Sequence, residues 1–213
     1  MYNVFQEWDL SIPRYPKEAS MLRIIGLCLM IFTFGSVAHA AEMSVANNDT
    51  FIYSKSGGGK PSLEFSSTFV GTDHSGNFRF DRKVLGKSWP ANEGATTPEG
   101  AFVYDRFTRY TPSAPSKFSR TLGESWTVSF VKETKKDGST QKDTATCSVA
   151  EIGPHAVVAG RFKASKVVCK DGSGTTTTWY DVDTGIMLEE QASDGTRFVL
   201  TDARASQLAT LPK

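Results

Sequence analysis

Residues 41–213 predict an all-β domain, an antiparallel sandwich or half-barrel of about ten short strands with a short C-terminal helix at most. Three observations carry that prediction. No long stretch beyond residue 41 has helical periodicity. Short runs rich in Thr, Val, Phe, Tyr and Trp recur at a spacing of roughly ten residues. Gly, Asp, Asn and Pro stand between these runs, where they suit turns.

The expected strands follow in order. The first three cover residues 51–55, 63–70 and 77–83, and the fourth is a single aromatic run over 101–110. Trp126-Thr127-Val128-Ser129-Phe130 alternates cleanly, placing three apolar side chains on one face and two hydroxyls on the other. Lys135-Lys136-Asp137-Gly138-Ser139 then reads as a hairpin tip, because Asp-Gly accepts the positive φ angles of a tight turn. Further strands are expected over 143–151, 161–170, 175–181, 186–191 and 196–201. Asp171-Gly172-Ser173-Gly174, Asp183-Thr184-Gly185 and Ser193-Asp194-Gly195 supply the last turns, and 202–208 is the place for a helix. The stretches 88–98 and 111–116 carry proline, which interrupts ladder hydrogen bonds, and read as exposed connections at one rim of a cleft. Leu85-Gly86-Lys87-Ser88-Trp89 and Leu122-Gly123-Glu124-Ser125-Trp126 share L-G-x-S-W, which suggests two related sheet halves, each feeding a Trp into the core.

The first forty residues read as an address. Arg23, the apolar run over 24–38 and Ala38-His39-Ala40 follow the order of a secretory signal peptide, with cleavage expected after Ala40. A membrane anchor needs about 20 apolar residues, more than this run has. Residues 1–20 resemble neither a signal n-region nor a domain, so translation starting at Met21 is an alternative. The expected organisation is therefore an extension plus signal over 1–40 and one β domain over 41–213, located in the periplasm or secreted. No transmembrane segment is expected after cleavage.

Lys+Arg number 24 and Asp+Glu 23, so the net charge of +1 lacks the basic footprint of a nucleic-acid binder. The composition also excludes a collagen-like or highly charged disordered chain. Past residue 40 two cysteines remain, Cys147 and Cys169, read as a disulfide in an oxidising compartment, with two buried thiols as the alternative. Closing that ~23-residue loop is worth about 3 kcal/mol in the chain-entropy model. A metal site joining both to His155 lacks ligand spacing, and no metal or cofactor is expected.

Catalytic constellations are sparse. Asp73-His74-Ser75 has the residue types of a hydrolase triad, but consecutive extended residues point apart and read better as a turn. Asp183-Thr184-Gly185 matches the aspartic peptidase triplet, yet that chemistry needs two such carboxylates sharing a proton, and Asp and Gly suit a turn here. Asp181-x-Asp183-x-Gly185 resembles the opening of a calcium loop without its remaining ligands. Ser56-Gly57-Gly58-Gly59-Lys60 lacks phosphate-loop spacing. The best candidate binding strand is Phe102 to Tyr110, where Tyr104, Arg106, Arg109 and Tyr110 could present a stacking surface to a sugar or lipid headgroup. The same pattern also describes a half-buried strand with arginines lying over its aromatics.

The run Val157-Val158-Ala159-Gly160-Arg161-Phe162, followed by Trp179-Tyr180-Asp181 and Thr184-Gly185, resembles a V-x-A-G-x-F … W-Y-D-x-x-T-G pattern. That pattern is found in secreted β-domain proteins of Gram-negative envelopes, most of them of unknown function. The similarity is best over 147–190 and loose over 80–200. It implies an antiparallel, half-barrel sheet in the periplasm and supplies no catalytic residues. Phe162, Trp126 and Trp179 are expected to dominate one small core. The function expected is a non-catalytic binding or scaffolding domain for a lipid, an envelope glycan or a partner protein. A structural subunit of an envelope assembly ranks second, and a hydrolase using Asp181 with Asp183, or Asp73 with His74, third.

Overall fold

The computed structural model describes residues 41–205 and 207–210. The signal-like segment, the start at Met21 and cleavage after Ala40 lie outside the described residues. Twelve strands follow in order: β1 (Thr50–Ser56), β2 (Leu63–Thr72), β3 (Phe78–Val84), β4 (Asn92–Thr96), β5 (Phe102–Tyr104), β6 (Thr108–Thr111), β7 (Ser125–Thr134), β8 (Ser139–Val157), β9 (Gly160–Asp171), β10 (Gly174–Asp181), β11 (Met187–Gln191) and β12 (Arg197–Arg204). Each pairs antiparallel with its neighbours in sequence, and β12 pairs with β1, so the sheet is a closed up-and-down barrel.

This corrects the expected sandwich or half-barrel of about ten strands, and three local features explain the difference. The run over 101–110 is two strands, because Asp105 Oδ1 accepts the amides of Phe107 at 2.7 Å and Thr108 at 2.8 Å and breaks the run with a turn. Residues 92–96, expected as a loop, form β4 against β3, with Phe80 opposite Gly94. Gly94 has weak strand propensity but gives room: a Cβ there would stand 3.1–3.2 Å from the Arg82 guanidinium. Residues 202–204 extend β12 rather than starting a helix, and pair with Thr50, Phe51 and Ile52 to close the wall. Among the described residues none is helical.

Strands run alternately up and down, so the connections gather at two ends. At one, residues 112–124 form a strap across the barrel. Ser116 Oγ bonds Tyr180 Oη at 2.9 Å and Thr178 Oγ1 at 3.2 Å, and the Trp126 indole donates to Pro115 O at 2.9 Å. Phe118, 1% exposed, packs among Cys147, Val149, Val167, Cys169 and Tyr180. The start of the domain lies over the same end, with Met43 N–H donating to Pro98 O and Ser44 N–H to Thr184 O, both at 2.7 Å. This strap end is stoppered by the chain itself.

Cys147 and Cys169 face each other across β8–β9 and are joined in a disulfide. The expected aromatic core divides in two. Phe162 belongs to a cluster with Phe51, Phe69, Phe80, Leu188 and Leu200, against which Trp179 packs, whereas Trp126 packs on the Phe118 cluster. The L-G-x-S-W echo has no structural counterpart, since Trp89 is 55% exposed at the end away from the strap and Trp126 is half-buried beneath it. Paired hydroxyls Thr127–Thr146 and Ser129–Thr144 lie on the exposed face of β7 and β8.

Candidate functional site

Cross-strand partners share a face, and Phe80 opposite core residue Phe69 marks the inner face of β3. Arg82, two residues on, is in phase with Phe80 and therefore points into the barrel. Its guanidinium lies 5.4 Å from the centre of the Phe102 ring and flat against Gly94. The Nε is buried without a hydrogen-bond partner, and no carboxylate lies within 4 Å among the described residues. Burial lowers its pKa, with Asp105, Tyr53 and Glu190 pulling the other way. Arg82 is half-buried by area.

Glu190, on β11, is four strands away round the barrel and influences Arg82 across the lumen. Burial raises its pKa, while the Thr178 hydroxyl donating at 3.5 Å and the Arg82 charge lower it. Phe65 joins the two walls, stacked on Tyr53 at 5.5 Å and edge-on to Phe198 at 6.2 Å. Tyr53 Oη donates to Met187 O at 2.9 Å, and burial raises its pKa. The arrangement is an aromatic-rich inner face, away from the strap, carrying a cation and an acid that form no ion pair within 4 Å among the described residues.

A second polar cluster lies on the other face of β10–β12. Glu189, 1% exposed, accepts from Arg197 Nε and Gln191 Nε2, each at 2.7 Å, and lies 3.1 Å from His155 Nε2. Burial pushes its carboxyl up, but these hydrogen bonds outweigh burial and hold it below the ordinary range. His155 stacks on Trp179 with ring centres 4.8 Å apart, and the Ala159 amide donates to Leu200 O at 3.2 Å, so the outer part of the β8–β9 hairpin is latched onto β10–β12.

The four residues of the expected binding strand separate. Tyr110 is half-buried with the inner aromatics, 5.7 Å from Phe102 and 5.8 Å from Phe130. Tyr104 is outside, donating to Glu93 Oε1 at 2.5 Å, which pushes its pKa up to about 12. Arg109 is exposed and stands opposite Tyr104 and Glu133. Arg106 occupies the β5–β6 turn, 5.7 Å from the Phe107 ring centre. The two hydrolase pairs are turn residues. Asp181, 2% exposed, accepts the Thr184 amide at 2.8 Å and its hydroxyl at 2.7 Å, while Asp183 is exposed. Asp73 accepts the amides of Ser75 and Asn77, leaving His74 exposed.

Arg82 and Glu190 were missed from sequence. The available signal was Phe78-Arg79-Phe80-Asp81-Arg82, where a basic residue falls in phase with two inward aromatics. At the loop end, away from the strap, a cleft of about 530 Å³ opens between the β1–β2 and β3–β4 connections, lined in part by Leu63, Val84, Leu85 and Lys87.

No protein-family model matches the chain. No curated protein matches it either. One solved structure, a protein of Bacteroides fragilis NCTC 9343 inferred to be exported and having a YmcC-like fold, is similar at a TM-score of 0.44 and 10% sequence identity, over 78% of this chain and 100% of that one. A similarity of that degree says nothing of what the chain does.

Proposed function

We propose that the chain is an exported, non-catalytic binding domain whose barrel takes the anionic head of a small amphiphilic ligand on Arg82. One observation carries the reading: a guanidinium inside the wall with a buried, unpartnered Nε and no carboxylate within 4 Å among the described residues. Removing such a cation from water costs several kcal/mol unless a counter-charge meets it. An acidic ligand is that counter-charge, and Phe65, Phe102 and Phe198 give its body an apolar surface. Export is supported by the order of basic residue, apolar run and A-x-A over residues 23–40, and by the disulfide.

A native mass spectrum of the protein gently purified from its own envelope fraction tests this. The wild type is expected to carry one acidic amphiphile and the Arg82→Met variant none. A bare wild type, or equal occupancy in the variant, rejects the reading.

A further inference from the structure

Two large aromatics stand exposed at the loop end, Trp89 at 55% and Phe107 at 61%. They occupy the β3–β4 and β5–β6 connections, and the strand order sets these beside the β7–β8 turn on one side of the barrel. The turns are braced from within. The Lys135 amide donates to Phe107 O at 2.9 Å, and Lys135 Nζ donates to Asp105 O at 2.6 Å. Phe107 is therefore held outward by a closed turn.

The charge around the two rings is one-sided. The three connections carry Lys87, Arg106, Lys135 and Lys136 against Asp105 and Asp137, a net of 4 − 2 = +2. Both carboxylates are engaged by turn amides, Asp105 as described and Asp137 by Ser139 N–H at 2.9 Å. Lys87, Arg106 and Lys136 are exposed. The strap end differs, since its exposed large hydrophobics include the aliphatic Leu122 and Val158, with Asp183 exposed as well.

We propose that this rim docks on the headgroup layer of an anionic lipid bilayer, with Trp89 and Phe107 seated among the headgroups and Lys87, Arg106 and Lys136 on the lipid phosphates. Tryptophan prefers that depth, phenylalanine anchors apolar contact at the headgroup–acyl boundary, and basic residues near an anionic surface are drawn to it over about a Debye length. A protein partner fits less well, because lysines are depleted at protein interfaces. Above the rim, the exposed face of β7 and β8 carries paired hydroxyls rather than apolar side chains. The inference does not depend on a ligand in the lumen.

Co-sedimentation of the purified protein with large unilamellar vesicles tests it, comparing pure phosphatidylcholine with a 70:30 mixture of phosphatidylcholine and phosphatidylglycerol. Binding is expected to the anionic vesicles, weakening with salt. Each basic residue is worth about fivefold, so Lys87→Gln with Lys136→Gln lowers partitioning about 25-fold. Trp89→Ser with Phe107→Ser abolishes it at an unchanged melting temperature. Arg82→Met retains vesicle binding, which separates this inference from the lumen reading. Absence of binding to anionic vesicles, or binding indifferent to the two aromatic changes, overturns it.

Discussion

Replacing Arg82 with Met is expected to make the ligand-free protein more stable. The guanidinium is half-buried with its Nε enclosed, so it bears only part of the several kcal/mol that full burial of an ion costs after relaxation. Against this stand a cation–π contact with Phe102, worth at most about 2 kcal/mol when desolvated, and the remote attraction of Glu190 across the lumen. Neither supplies the hydrogen bond that Nε lacks. Methionine keeps the apolar stem against Phe102 and removes the charge, so a net gain of about 1 kcal/mol is expected. For a domain of this size that is a rise of about 2–4 °C in melting temperature. The assay is urea unfolding of delipidated wild type and Arg82→Met, with the double variant Arg82→Met/Glu190→Gln measuring the coupling of the two charges. If Arg82→Met loses more than about 1 kcal/mol, the guanidinium is satisfied where it stands. The case for a ligand then falls with it.

Two further outcomes are expected. Gly185 has φ of +72°, and a Cβ there would lie 2.7 Å from Phe118 Cδ1; Gly185→Ala should therefore cost about 2–5 kcal/mol in a thermal melt, well beyond Gly86→Ala, whose surroundings are open. Glu189 has a folded pKa below its unfolded one, so its contribution is present above the unfolded pKa of about 4.3 and is lost as pH falls through the folded value. Urea midpoints should show Glu189→Gln less stable by about 1.5–3 kcal/mol at pH 7, with the gap closing in acid. A constant gap from pH 7 to pH 3 refutes this, and taking the difference between the two proteins cancels the opposite trend from Asp181 and Glu190, whose pKa values are raised.

Strand content was legible because alternation is a local property: Trp126, Val128 and Phe130 fall on one face within five residues. Closure was not, since Thr50 opposite Arg204 is a pairing of distant segments that no short window contains. The short strands failed for a related reason. Asn92-Glu93-Gly94-Ala95-Thr96 has poor strand propensity and is held by its partners, with Gly94 selected by the Arg82 side chain lying on it. Tyr104 and Tyr110 looked like one surface until Asp105 turned the chain between them. Arg82 was visible only as a phase relation with Phe78 and Phe80, a signal that acquires meaning once β3 is known to have its inner face buried.

The β1–β12 seam also sets an order of events in folding. The β8–β9 hairpin pairs residues close in sequence and can form early, whereas the seam joins the two ends of the domain and carries the largest loop-closure cost. During synthesis β1 emerges long before β12 is made, leaving one ladder edge of β1 without its partner until the last strand is complete. Such an edge invites pairing with other chains. Completion of the barrel must therefore wait for the last strand, and a truncation that removes β12 should yield an aggregation-prone open sheet rather than a smaller barrel.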